Sequence, residues 1–195
     1  MTSHLVRLFT IGLLLTVVGA CTNSVRSTET TPDSDAIMLV TMGEQARQIA
    51  QRELPDVVLR QIDSNADLSE FTFRYTDSAA TKEIDITGAA PNVSPEQWSA
   101  QIITLSPLLG WSQPDMNLQV LRIGPNRVAR AITTHWSDCK VRFVHLSLEK
   151  NDLVWIAWCD TPQGTVSGTM SNQTGMFQPS NAPPAHIPIT ATPAP

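Results

Sequence analysis

Three neighbouring polar residues, His135, Ser137 and Asp138, carry the side-chain types of a hydrolase triad. A serine nucleophile needs a histidine base and a carboxylate that orients it, and the three side chains must converge. Residues this close along one short segment do not converge, and no G-x-S-x-G motif precedes the serine. No G-x-x-x-x-G-K-[ST], H-E-x-x-H or G-x-G-x-x-G motif occurs in the chain. We interpret the trio as polar residues at a helix end and expect no catalytic residues, with a hydrolase of unrecognised site as the alternative.

Two cysteines and two histidines in the same region offer a second chemistry. His135, Cys139, His145 and Cys159 match the ligand set of a structural zinc site, but their spacing has no standard zinc-finger form. A tight hairpin in this region would place Cys159 beside Arg142, close to Cys139, and would direct His145 to the opposite face. A disulfide is then within geometric reach. We predict the disulfide, keep zinc as the alternative, and expect no bound metal or cofactor.

Paired carboxylates occur at Glu83 and Asp85, on the face of a predicted strand opposite Ile84 and Ile86. Such pairs can act as general acid and base. Alternation of acidic and apolar residues is more typical of a solvated sheet face. We therefore interpret this pair as solvated surface.

The tryptophans Trp155 and Trp158 are the remaining candidates for binding. They lie on a predicted strand, residues 152–159, in which both faces are apolar. One face must cover a helix, whereas the other either packs on the rest of the core or forms an exposed patch for a protein, peptide or glycan. These two residues are the possible binding surface.

Hydrophobic patterns predict the elements that carry these residues. Spacings of three and four indicate a helix that Pro55 ends, and a second helix that begins near Pro125. Alternation at period two indicates strands, which we place at residues 57–63, 70–77, 82–88, 140–148, 152–159 and 164–170. The fold class is therefore α+β, with helix packed on an antiparallel sheet.

The two halves of the chain show a faint internal repeat of one helix followed by a strand meander. We place one α+β module at residues 36–91 and another at residues 117–177. The alignment pairs Phe73 with Ile156. Residues 92–116 form a connector, in which residues 98–105 are either a fourth strand or a short helix.

Composition limits the classes of function. The chain has 195 residues, of which 42% are hydrophobic, and its formal net charge is -5. This length suits one domain or two small ones, and the acidic balance argues against a nucleic-acid partner.

The N-terminus carries a secretory signal. His4 and Arg7 precede an uncharged apolar run over residues 8–18, and Gly19 and Ala20 precede Cys21. The run is too short for a membrane-spanning helix and has the length of a signal-peptide core. The segment resembles the lipobox of bacterial lipoproteins, which implies cleavage after residue 20 and acylation of Cys21. The thiols of Cys139 and Cys159 would then remain in an oxidising compartment, which favours a disulfide between them.

The composition of the mature chain predicts a tether, a core and a tail. Residues 21–35 are rich in serine and threonine and read as a flexible tether. Residues 178–195 are rich in proline, and we predict a disordered tail.

The helix A-R-Q-I-A-Q-R-E-L (residues 46–54), the aromatic strand that follows, and Thr174-Gly175 resemble PepSY-like modules, which have a cystatin-like arrangement. That resemblance implies regulation of a peptidase. We expect a non-enzymatic interaction or regulatory protein, held by a lipid anchor on the extracytoplasmic side of a bacterial membrane. A glycan- or peptide-binding surface lipoprotein and an envelope hydrolase are the alternatives.

Overall fold

The computed structural model describes residues 31–90, 95–105 and 114–180. It contains helices α1 (Ser34–Glu53) and α2 (Pro125–His135). The strands are β1 (Val58–Ser64), β2 (Glu70–Thr76), β3 (Lys82–Ala89), β4 (Ser99–Thr104), β5 (Lys140–Glu149), β6 (Asp152–Thr161), β7 (Gly164–Ser171) and β8 (Phe177–Ser180). Neither helix combines the length and apolar character needed to cross a membrane. The predicted signal peptide, Cys21 and residues 181–195 lie outside the described residues.

All the strands in the described residues belong to one antiparallel sheet, in the order β4-β3-β2-β1-β5-β6-β7-β8. The α+β prediction is therefore confirmed at the level of fold class. The two predicted modules do not form separate sheets, because β1 and β5 pair directly. Only three residue pairs make this junction: Gln61 with Ser147, Ile62 with Leu146, and Asp63 with His145.

Three predicted boundaries differ from the structure. Residues 98–105 of the predicted connector contain β4, which pairs with β3 along its whole length. Residues 178–180 of the predicted tail belong to β8, which pairs with β7. Helix α1 begins at Ser34, within the predicted tether.

Helix α1 packs on the first half of the sheet through small residues. Its buried positions recur at spacings of three and four, which is the period of one helix face; they are Ala36, Leu39, Met42, Gly43, Ala46 and Ala50. A side chain at Gly43 would collide with Leu118, so glycine permits this close contact. The Tyr75 hydroxyl on β2 donates a 2.9 Å hydrogen bond to the Gly43 carbonyl and fixes the helix over the strand.

Helix α2 begins at Pro125, as predicted, and receives its N-terminal cap from another element. The Asp33 carboxylate accepts from the Gly124 amide at 3.0 Å, and Asp35 accepts from the Asn126 amide at 2.8 Å. Carboxylates at this position accept hydrogen bonds from amides that lack a partner within the helix, and their negative charge interacts favourably with the positive end of the helix dipole. The start of α1 therefore orients α2.

Pairing across the sheet corrects the alignment of the two halves. Phe73 is fully buried on the face that carries the helices. Ile156 pairs with His145, on the opposite face, whereas the next residue, Ala157, is fully buried beside Val144. Matching Phe73 with Ile156 is therefore wrong, because a shift of one residue reverses the face of a strand. The internal repeat itself stays a prediction.

Candidate functional site

The two faces of the sheet differ in chemistry. Both helices pack on one face, where a single hydrophobic cluster joins residues of both halves. In the described ranges, the opposite face has no helix over it. A row of charged and aromatic side chains crosses this face, which we call the open face; they are Glu83, Asp85, Arg74, Asp63, His145, Trp158 and Phe143.

Arg74 on β2 is the centre of the charged part of the row. Its guanidinium donates to both carboxylate oxygens of Asp85, at 2.9 and 3.1 Å, and lies 3.2 Å from Glu83. A third carboxylate, that of Asp63, lies 4.0 Å away. Burial alone would lower the pKa of Arg74, but the three carboxylates outweigh it and raise the pKa. Arg74 therefore stays positively charged and bridges β1, β2 and β3.

Asp63 and His145 extend the row across the junction of the two halves. Their side chains are 2.7 Å apart, from Asp63 Oδ1 to His145 Nδ1. Gln61 donates to the other carboxylate oxygen at 2.7 Å. Burial would raise the pKa of Asp63, but the hydrogen bond and charge of His145, together with Arg74, lower it. The fold thus favours an ionised Asp63.

Glu83 and Asp85 share one face of β3, opposite Ile84 and Ile86, as the sequence predicts. They are not simple solvated surface, because their side chains are only 17% and 15% exposed and both contact Arg74. Burial raises the pKa of Glu83, against the lowering effect of Arg74. The row therefore contains two carboxylates whose pKa values are shifted in opposite directions, those of Asp63 and Glu83.

The aromatic end of the row corrects the prediction for the tryptophans. Trp155 is fully buried on the helix side, where its indole N–H donates to the Ile123 carbonyl at 2.8 Å, so it is a core residue. Trp158 lies on the open face, stacked on Phe143 with ring centres 4.4 Å apart, and makes a T-shaped contact with His145. Trp158 is only 5% exposed. The two tryptophans therefore do not form one exposed patch.

The predicted disulfide is present. Cys139 and Cys159 are bonded, with Cα atoms 5.6 Å apart. A bulge near Arg142 places Cys159 opposite Val141 instead, one residue from the expected partner. No cluster of potential metal ligands occurs within the described ranges, and the bonded cysteines do not support the zinc alternative.

The predicted polar trio does not form a constellation. His135 ends α2 and contacts the rings of Trp136 and Phe177, whereas Ser137 and Asp138 are exposed in the following turn. Within residues 31–90, 95–105 and 114–180, no hydrogen bond joins these three side chains. This agrees with their interpretation as polar residues at a helix end.

An aspartate that holds a histidine, as Asp63 holds His145, is the arrangement that orients the base in nucleophile-activating triads. Among the described residues, no hydroxyl or thiol forms a hydrogen bond with His145. Sequence reasoning missed this pair because β1 and β5 are far apart in the chain. Arg74 could have been found, since the hairpin of β2 and β3 places it directly opposite Asp85.

A separate concave site lies between α1 and the start of β1. It is a cavity of about 360 Å³ that contains an ion pair of 2.9 Å between Arg47 and Asp115. Asp115 also accepts from the Leu59 amide at 2.8 Å, so both charged groups serve the local fold. Two further polar groups of the lining are also engaged, because Tyr75 donates to the Gly43 carbonyl and Glu44 accepts from Gln119.

No protein-family model and no curated protein matches the sequence. The fold is similar to that of a provisionally assigned lipoprotein from Clostridium difficile 630, known from a crystal structure. The TM-score is 0.50 and the sequence identity is 13%, over 77% of this chain and 94% of that chain. At this identity the likeness establishes the fold.

Proposed function

We propose that this chain is a lipid-anchored, extracytoplasmic interaction or regulatory protein without catalytic activity. The anchor is Cys21, within a segment that resembles a lipobox. The similar fold of the provisionally assigned lipoprotein from Clostridium difficile 630 supports this class. Residues 21–33 lead from the anchor to α1, so the folded core is presented close to a membrane.

The open face is the surface that we assign to interaction, and its charged row carries the proposal. A sheet face that needs only solubility can use long, exposed side chains, whose ion pairs contribute little. Here short carboxylates are held by Arg74 and His145, with side chains of the row only 14–21% exposed. Fixed charges of this kind favour recognition of a complementary partner over nonspecific contact.

The charge of the row indicates the chemistry of the partner. The row holds three carboxylates, those of Asp63, Glu83 and Asp85, against one arginine and one histidine, so acidic groups outnumber basic ones. A basic segment of an envelope protein is the partner that we propose. Under the PepSY-like resemblance, that segment belongs to a peptidase whose activity the protein restrains or assists.

The open face also gives a reason to prefer binding over catalysis. His145 is held by Asp63 and makes a T-shaped contact with Trp158. Among the described residues, no hydroxyl or thiol forms a hydrogen bond with it, so the row lacks the nucleophile that a triad needs. Glycan binding through paired tryptophans loses its support, because Trp155 lies in the core. The row therefore supports a preorganised recognition surface.

Site-specific photocrosslinking in cells tests this function. A photoreactive amino acid at Thr72, on the open face of β2, should give a discrete adduct with one envelope protein. The same amino acid at Thr134, which is exposed on α2, is the matched control. Glu83→Gln should weaken the Thr72 adduct, and so should raised salt, because both reduce electrostatic attraction.

Peptidase regulation needs a further readout. Once mass spectrometry identifies the adduct, the activity of that protein is measured with and without the wild-type chain and the Glu83→Gln variant. Adducts of equal yield at Thr72 and Thr134, or a Thr72 adduct unaffected by both Glu83→Gln and salt, would contradict the assigned surface.

A further inference from the structure

Strand β4 forms one edge of the sheet. It pairs with β3 in regular register, from Thr104 opposite Lys82 to Ser99 opposite Thr87. In the parts of the chain that the structure describes, no strand pairs with its other side. The backbone groups on such a side are a ready template for another strand.

The composition of β4 does nothing to prevent such pairing. Its sequence, S-A-Q-I-I-T, has no charged residue and no proline, and its pairing with β3 has no bulge. Charges, prolines and bulges are the usual means by which edge strands avoid association. The opposite edge differs, because β8 is only four residues long and contains Pro179.

An apolar side chain is also left exposed at this edge. Ile102 pairs with the fully buried Ile84, so it points to the helix side of the sheet. It is nevertheless 49% exposed, because the described core ends there. A further strand beside β4 would cover Ile102.

We propose that β4 pairs with β4 of a second copy of this chain, in antiparallel orientation about a twofold axis at Ile102. A twofold axis perpendicular to the sheet keeps each side chain on the same face of the sheet in both copies. Each residue of one copy must therefore pair with a residue of the second copy that points to the same face. An axis at Ile102 places the two Ile102 side chains opposite each other and pairs Gln101 with Ile103. No charges oppose each other, and one sheet runs through both copies.

The neighbouring register is less favourable. An axis at Gln101 also preserves the faces, but it pairs Ile102 with Ala100 and leaves the larger side chain half covered. Cross-strand pairs of β-branched residues contribute more than pairs with alanine. An axis at Ile103 would pair Ile102 with Thr104. Only the axis at Ile102 places the two exposed isoleucines opposite each other, and this self-complementary, uncharged pairing is our reason for proposing a second copy as the occupant.

The contact is small, so it should be weak between dilute molecules. Copies held on one membrane have a much higher effective concentration. The test therefore uses the full-length chain in whichever cell fraction holds it. Because Cys139 and Cys159 are paired, an introduced thiol can be followed separately.

Cysteine crosslinking tests the contact and its register together. In Ile102→Cys, the thiols of two copies face each other at a separation that a disulfide can span. Mild oxidation should give a covalent dimer, at a yield at least about tenfold above that of Val120→Cys. Val120 is the matched control, since it is 52% exposed on a different element. The wild-type chain gives the background.

A charge-exchange experiment separates loss of contact from loss of folding. Two differently tagged copies are expressed together and purified through one tag. Two wild-type copies should co-purify. Two Ile102→Lys copies should not, because like charges would then face each other across the contact. An Ile102→Lys copy should again co-purify with an Ile102→Glu copy, because the two charges are opposite. Equal crosslinking of Ile102→Cys and Val120→Cys, stronger crosslinking of Gln101→Cys, or no rescue by the opposite charges would overturn the proposal.

Discussion

At the scale of single residues, Asp63 links folding to pH. The pKa of Asp63 is lower in the folded state than in the unfolded chain. The ionised carboxylate therefore stabilises the fold above the unfolded-state pKa, and this stabilisation is lost as pH falls through the folded-state pKa. The ionised carboxylate is stabilised by His145 and Arg74 across the junction of the two halves. Acid should therefore weaken this junction.

The Asp63→Asn variant tests that link. The free energy of unfolding of the wild-type protein should fall more steeply than that of the variant as pH drops from neutral to the acidic range. Urea unfolding at a series of pH values measures both slopes. Parallel curves for the two proteins would show that Asp63 does not provide this coupling.

Glu83 should have the opposite effect. Burial raises the pKa of Glu83 in the folded state. Protonated Glu83 therefore stabilises the fold at low pH, and this stabilisation is lost as pH rises through the pKa of the folded state. At neutral pH, Glu83→Gln should retain or slightly raise the free energy of unfolding. The same urea series checks this, and strong destabilisation by Glu83→Gln would contradict it.

Asn172 is a buried polar residue that fixes the segment before α2, which includes a 3-10 helix at Leu118–Val120. Its side-chain oxygen accepts from the amides of Arg122 and Ile123, at 2.7 and 3.1 Å, and its side-chain nitrogen donates to the Val120 carbonyl at 2.9 Å. Asn172→Ala would leave these backbone groups unpaired and should cost about 3 kcal/mol. Chemical denaturation measures the cost, with the exposed neighbour variant Gln173→Ala as control. Equal stability of the two variants would refute the role of Asn172.

At the scale of elements, strand alternation predicted six of the eight strands to within about two residues, in line with the usual uncertainty of boundaries. β4 was left undecided and β8 was missed, because each is short and lies in a segment rich in turn or proline signals. In β6, both faces are apolar, so alternation could not place Trp155 or Trp158. The pairing of β1 with β5 joins distant segments, and nothing local to either strand encodes it.

The disulfide connects Cys139, the residue before β5, with Cys159 in β6, and we assign it to stability. The sequence predicted it from compartment and hairpin geometry, although the bulge near Arg142 could not be foreseen. Its cysteines are 20 residues apart, and closing a loop of that size stabilises by roughly 3 kcal/mol.

Replacing Cys139 and Cys159 together by serine should therefore lower the free energy of unfolding by about 2 to 4 kcal/mol. The Thr72 photocrosslink should persist, because the bridge lies on the helix side of the sheet. Denaturation and crosslinking of the same variant measure the two effects. Unchanged stability, or loss of the adduct in a protein that remains folded, would contradict this division of roles.

At the scale of the whole molecule, the sequence predicts a lipid anchor and a tether, and the described residues form one sheet with one open face. Helices on one face bury the core, so the other face is left for charges that pair across the strands. The signal-peptide pattern predicted the anchor, whereas the open face emerged only once both halves were seen to share one sheet.

The most direct test of the account is lipid labelling of Cys21. Cells that express the full-length chain are supplied with a radioactive fatty acid, and the protein is immunoprecipitated from the membrane fraction. The wild-type chain should carry the label and remain with the membrane, whereas Cys21→Ser should carry none, because no other residue of the lipobox-like segment offers a thiol. Equal labelling of the two chains, or an unlabelled wild-type chain, would contradict a lipid-anchored interaction protein.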